Sequence, residues 1–112
     1  MAALDVRGRI ISFPVVIATC DGERYLVSML GQDVNWVRNV RAAGGDAVLR
    51  HGRREAVRLV EVPADAKPAI LRRYLDVAPG ARPHVPVHRR APQQAFEEIV
   101  TGIPVFRITA RP

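Results

Sequence analysis

The segment Gly31-Gln32-Asp33-Val34-Asn35-Trp36-Val37-Arg38-Asn39-Val40-Arg41-Ala42-Ala43-Gly44-Gly45 carries the residue types and spacing best suited to binding chemistry in this chain. A strand-like run, Tyr25 to Leu30, feeds Gly31, and a short helix holding the only tryptophan then stops at Gly44-Gly45. A strand, a glycine turn and a helix N-terminus together suit an anionic ligand, because the first N–H groups of a helix lack internal partners and point outward. Trp36 and Asn39, three apart, are expected on one helix face, where they place an aromatic surface beside an amide. Trp36 reads either as a core anchor or as a ligand platform. Asparagine is a poor helix former, so Asn35 and Asn39 are expected to use their amides, toward a ligand or toward neighbouring loops. Arg38 and Arg41 read as surface charges or as phosphate partners.

The familiar catalytic signatures are missing. There is no G-x-S-x-G elbow, no P-loop, no Rossmann glycine fingerprint and no His/Cys spacing for zinc, so no metal site is expected. His51, His84 and His88 lie far apart in sequence, the last two in a proline-rich loop, and read as solvated loop residues. Cys20, the single cysteine, excludes an internal disulfide and reads as a small core residue at a strand end. Asp21 is the acid of a hairpin turn.

The elements that position these residues follow from pattern. Residues 1–9 are weakly patterned and read as a loose lead-in. Ile10 to Thr19 is β-branched and continuous, as expected of a strand buried on both faces. Asp21-Gly22 signals a hairpin, with Arg24 to Leu30 as the returning strand. Asp33 is the expected N-cap of a helix from Val34 to Ala43. Ala47 to His51 and Ala56 to Val62 form a second hairpin around Gly52-Arg53-Arg54, and Pro63 ends it. Helical spacing covers Lys67 to Val77 and Gln93 to Val100, the latter with Phe96, Ile99 and Val100 inward. Five prolines and glycines make Ala78 to Pro92 a loop. Val105 to Thr109 is the last strand. Two hairpins, an intervening helix and a helix pair before a final strand predict a single α+β domain over residues 1–112, an antiparallel half-open barrel with two or three short helices.

With 112 residues, 48% hydrophobic composition and a mean hydropathy near zero, the chain fits one soluble globule. No apolar run approaches the roughly 20 residues of a membrane span. The first residues lack the layout of a secretory leader, so a cytoplasmic location is expected. The net charge of +6 comes almost entirely from arginine, since Lys67 is the only lysine. Arginine favours bidentate phosphate or carboxylate contacts, yet these are scattered along the whole chain.

Tyr25-Leu-Val-Ser-Met-Leu-Gly31, Asn35-Trp36-Val-Arg-Asn39-Val-Arg-Ala-Ala-Gly-Gly45 and Val48-Leu-Arg-His-Gly-Arg-Arg54 together resemble the deazaflavin-dependent nitroreductase family of actinobacteria. Arg58-Leu-Val-Glu-Val-Pro63, Ala69-Ile-Leu-Arg-Arg-Tyr74 and Pro104-Val-Phe-Arg-Ile108 continue the resemblance in order, over roughly residues 14–108. It implies a split β-barrel like that of flavin reductases and pyridoxamine-phosphate oxidases. It also implies the 8-hydroxy-5-deazaflavin coenzyme F-420, with FMN as the alternative cofactor, and two-electron reduction of nitro compounds or quinones. Carried over by position, Ser28, Met29 and Gly31 border the coenzyme from the strand end and turn, and Trp36, Val37, Arg38 and Asn39 border it from the helix. Hydride leaves the deazaflavin carbon directly, so orientation and exclusion of water are the protein's work and no nucleophile is needed. The proton that must also reach the product comes from solvent, Tyr74 or His84.

The front of the chain departs from the family pattern. Members carry an N-terminal helix and a Gly-Arg-Lys/Arg-Ser-Gly hairpin that grips the coenzyme's phosphate and tail. Here only Val6-Arg7-Gly8-Arg9-Ile10-Ile11-Ser12 precedes Pro14, so an N-terminally shortened member is expected. The expected partner is a small-molecule electron acceptor. A homodimer is expected because an open barrel leaves edge strands to cover; nucleic acid is not, and membrane contact is at most peripheral. Two rival readings stand beside this one: a non-catalytic carrier of a flavin, haem or fatty acid in the barrel mouth, and an arginine-driven binder of nucleic acid or anionic membrane.

Overall fold

The computed structural model describes residues 2–6, 12–84, 88 and 90–111. Seven strands run in the order β1 (Ala2–Val6), β2 (Ser12–Val15), β3 (Ala18–Cys20), β4 (Glu23–Val27), β5 (Asp46–Arg50), β6 (Arg54–Glu61) and β7 (Val105–Ala110). Helix α1 (Asn35–Ala42) lies between β4 and β5, while α2 (Lys67–Val77) and α3 (Gln93–Glu97) precede β7. The strands form one sheet ordered β2-β1-β5-β6-β7-β4-β3, with every pair antiparallel.

The shape of this sheet follows from one covalent fact. Its two edge strands, β2 and β3, are consecutive in the chain and joined only by Val16 and Ile17. Laid flat, the outer strands of such a sheet stand roughly 29 Å apart, at about 4.8 Å per spacing. Two linking residues reach only about 11 Å between the flanking Cα atoms. The sheet therefore has to curl until its edges meet at one end, while β2 and β3 form no ladder with each other. The result is an α+β half-barrel, split along one side.

Curling gives the sheet two faces with separate cores. Inside lie Leu4, Val6, Leu26, Leu49, Val57, Leu59 and Phe106, closed at one end by Val37 and Val40 of α1. Outside, Ile70, Leu71, Tyr74 and Leu75 of α2, with Phe96 of α3, cover Ala18, Val27 and Val105. Alternation along each strand sorts the residues, as in β4, where Leu26 joins the inner cluster and Val27 the outer one. Arg24 and Glu55 hold the far end through a two-pronged ion pair at 3.0 and 2.6 Å.

Several expectations need correction. The lead-in is a strand: Ala2, Leu4 and Val6 are buried, and β1 sits between β2 and β5. The continuous strand from Ile10 to Thr19 is two strands broken at Val16 and Ile17, and neither is buried on both faces, because each lies at a sheet edge. Edge position also explains how Pro14, which has no N–H, is tolerated in β2. Asp33 is not the N-cap; Val34 holds that position, no side chain caps the helix, and α1 starts at Asn35. The second hairpin is shifted by one or two residues at its ends. The last helix stops at Glu97, and Val100 opens a 3-10 turn ending at Gly102. Part of the proline-rich loop, Pro79–His84, is likewise a 3-10 segment. The basic turn expected at Arg7, Gly8 and Arg9 lies outside the described residues.

Other features follow expectation. Asp21 and Gly22 both have positive φ, 51° and 81°, which is the tight hairpin turn that sequence pair favours. Helix α2 spans Lys67–Val77 as expected, with Pro68 in its first turn where a missing N–H costs nothing.

Gly45 ends the α1 segment at φ 89°, and its carbonyl accepts the Leu59 N–H at 2.8 Å. A Cβ there would stand 2.4 Å from the Leu59 oxygen. Gly45→Ala should therefore cost about 3 kcal/mol, combining the left-handed backbone penalty with a forced shift of β6. Gly52→Ala, at φ 78° with open space around it, should cost only about 1 kcal/mol. Urea unfolding of the two variants measures the difference directly.

Candidate functional site

The split in the barrel opens a cavity of about 620 Å³, within the 300–1,000 Å³ typical of small-molecule pockets. Four segments build its walls. Phe13 to Val16 supply the β2 edge, and Leu26 to Leu30 supply the end of β4 with the turn after it. Val34 and Trp36 come from the start of α1, and Tyr74 with Val77 to Ala81 from the end of α2 and its continuation.

Local chemistry fixes each wall. The Ser28 N–H donates to the Pro104 carbonyl at 2.9 Å, which holds the end of β4 beside the approach to β7. Ser28 is buried, and its hydroxyl donates to the Gly31 carbonyl at 2.6 Å. The Gly31 N–H in turn donates to the Ser28 carbonyl at 3.3 Å, closing a turn that needs φ 94° at Gly31. This turn carries Met29 and Leu30 past the cavity and leaves Leu30 72% exposed at its rim. Trp36 is half-buried, its ring 5.7 Å from that of Phe106 and tilted by 57°, a geometry favourable for aromatic pairs. It is thus both an anchor against the inner core and a wall of the cavity.

Tyr74 lies one turn before the end of α2 and is 8% exposed. Burial pushes its phenol above the ordinary value of 10.0, so it stays protonated through the neutral range. No hydrogen bond to its hydroxyl forms among the described residues. Among the described residues, the cavity lining contains no Asp, Glu, Lys, Arg or His.

The structure brings Ser28, Met29, Trp36 and Tyr74 together around one cavity. Gly31 shapes the turn without lining it. Val37 is fully buried in the inner core, Arg38 is exposed and Asn39 half-buried, and none of these three lines the cavity. Three steps along a helix leave Trp36 and Asn39 about 60° apart, neighbours on α1 of which only Trp36 lines the cavity. Arg41 is held by Glu61 at 2.7 Å and by Gln32 at 3.3 Å. Of His84 only the backbone is described, ending the Pro79–His84 segment. His51 is exposed in the β5–β6 turn, and the exposed His88 accepts the Arg90 N–H at 3.1 Å. Cys20 is half-buried at the end of β3 rather than in the core, with its thiol pushed up by burial and by Asp21. Sequence reasoning missed the walls from Phe13 to Val16 and from Val77 to Ala81. For the first, the available signal was Pro14, which marks an edge strand.

The arginines mostly serve the scaffold. Arg50 bonds Asp5 and Ser12, Arg58 and Arg111 flank Asp46, and Arg72 and Arg82 donate to backbone carbonyls. Among the described residues no three His, Cys, Asp or Glu converge as metal ligands, and no helix is long and apolar enough to cross a membrane. Neither the protein-family models nor the curated proteins contain a match to this chain.

Because its hydroxyl makes no hydrogen bond to a described residue, Tyr74→Phe should leave stability within about 0.5 kcal/mol of wild type or raise it slightly. The pH dependence has a definite sign. A phenol held protonated in the fold stabilises fully below pH 10.0 and loses that contribution as pH rises through its higher folded value. Thermal melts above pH 10.0 should therefore fall more steeply for wild type than for Tyr74→Phe, with Tyr25, also raised by burial, contributing the same background to both.

Proposed function

We propose that this chain is a deazaflavin-dependent oxidoreductase that seats the coenzyme's tricyclic ring against Trp36 and reduces a nitro compound or quinone. One observation carries the reading: an apolar cavity sized for a planar ring, walled by the only tryptophan, at the junction of β4, its glycine turn and α1. That junction is the segment whose residues most resemble the deazaflavin-dependent nitroreductases.

The fit divides in two. An uncharged ring matches the lining, with Trp36 on one wall, Met29 and Ser28 on another and Tyr74 across from the strand end. A phosphate or carboxylate tail finds no cationic side chain among the described lining residues; outside that lining, Arg38 is exposed on α1. When bound, the reduced coenzyme supplies the hydride. The chain's part is to hold the two reacting molecules face to face and to keep water out, which suits a lining without acids or bases. Val34 and Leu30 frame the rim, so apolar surface surrounds the approach as well.

The same uncharged lining also suits a module that only carries an apolar ligand. Mass spectrometry of ligand co-purified with the protein, together with a turnover assay, separates the two: bound lipid without turnover favours the carrier. Titration with the coenzyme, followed by its own fluorescence polarisation with FMN as comparator, should give saturable binding below the high-micromolar range. Trp36→Ala, with its fold checked by circular dichroism, should weaken that binding by on the order of 1 kcal/mol, about fivefold in Kd. Absence of saturable binding by wild type would overturn the proposal.

A further inference from the structure

Two hydroxyl-bearing residues line the cavity, and their hydrogen bonding differs. The Ser28 proton is already given to the Gly31 carbonyl at 2.6 Å, inside the turn that ends β4. Tyr74 is carried into the lining by α2, with 8% of the residue exposed and no hydrogen-bond partner for its hydroxyl among the described residues. The helix fixes its position: Tyr74 packs in the outer core beside Leu71 and Leu75, and its carbonyl accepts the Ala78 N–H at 2.9 Å. The hydroxyl is not sealed off among protein atoms, so its O–H can donate to a ligand in the cavity. Burial holds the group as a neutral phenol, so it faces the cavity as a donor.

The rest of the lining says what it donates to. Among the described residues no charged side chain lines the cavity, so an anionic head would be stripped of water with no counter-charge from that lining. A neutral oxygen, such as a ketone, quinone or nitro oxygen, accepts a hydrogen bond at no such cost. Apolar contact from Phe13, Met29 and Trp36 supplies the bulk of the affinity, and one directional bond sets which end of the ligand points at α2.

We propose that Tyr74 is a positioning residue: its hydroxyl donates the single directional hydrogen bond by which the cavity recognises an uncharged, oxygen-bearing planar ligand and fixes its orientation. The assignment rests on reading the cavity as an acceptor site, but not on the coenzyme.

Three probes of similar size test it on the full chain without coenzyme: α-tetralone, which carries a ketone oxygen; tetralin, which lacks it; and naphthoate, which is anionic. Calorimetric titration and the fluorescence of Trp36, the only tryptophan and a wall of the cavity, report occupancy. In Tyr74→Phe the affinity for α-tetralone should fall about five- to tenfold, while that for tetralin stays unchanged. Naphthoate should bind more weakly than α-tetralone to wild type. Equal affinity of wild type and Tyr74→Phe for α-tetralone overturns the proposal, as does an equal loss for tetralin, which would mark a merely structural effect. Naphthoate binding as tightly as α-tetralone overturns it too, and so does failure of α-tetralone to bind wild type. Coenzyme titration, run separately, keeps the two readings apart. A Tyr74 effect without coenzyme binding defeats only the deazaflavin assignment; coenzyme binding without a Tyr74 effect defeats only this one.

Discussion

Everything in this fold depends on two residues that join the outermost strands of a seven-stranded sheet. Val16 and Ile17 connect β2 to β3, and a link that short is incompatible with a flat sheet. Curling creates an interior, and the interior makes burial of Leu4, Leu26, Leu49 and Phe106 possible. Because the edges meet covalently at one end without pairing, the barrel stays split, and the cavity lies where the ladder is absent. A longer connection would permit a flatter sheet, remove the inner core and erase the cavity with it. The site is a consequence of how the sheet closes, not an addition to it.

The helices divide the remaining work by face. Helix α1 plugs one end of the interior through Val37 and Val40, while α2 and α3 cover the outer side of β3, β4 and β7. Two elements of unrelated packing thereby meet at the same opening, α1 presenting Trp36 and α2 presenting Tyr74. The approach of α1 is set by Gly45, which lets the chain turn so close to β6 that its carbonyl takes the Leu59 N–H.

The fold was legible where local chemistry decides it. Asp21-Gly22 can hardly do anything except turn, and the apolar spacing of Ile70, Leu71, Tyr74 and Leu75 leaves little choice but a helix. Legibility failed where tertiary position decides. Ala2, Leu4 and Val6 alternate with Ala3 and Asp5 over only five residues, too short a run to announce a strand placed between two others. The break between β2 and β3 is invisible because β-branched residues continue straight through it. Among the site residues, Ser28, Met29, Trp36 and Tyr74 converge on one cavity, while Val37, Arg38 and Asn39 share the helix but not the opening. A segment can be read from its residues; which of its faces meets the opening depends on packing that only the closed sheet supplies.

The polarity of the cavity narrows its chemistry further than its size does. An anion cradle was the first expectation for this turn and helix, and α1 does begin without a side-chain cap. Yet Ser28 turns its hydroxyl back to Gly31, Arg41 is occupied by Glu61, and no cation enters the described lining. Against that described lining a ligand charge goes unpaired, and the desolvation penalty of an unpaired ion exceeds what apolar contact over one ring returns. The described lining therefore favours a neutral, largely apolar body. The described lining offers no charged acid or base, and under the proposed function a reaction here depends on the proximity and alignment of two bound molecules, with Tyr74 as the neutral donor proposed for the ligand oxygen.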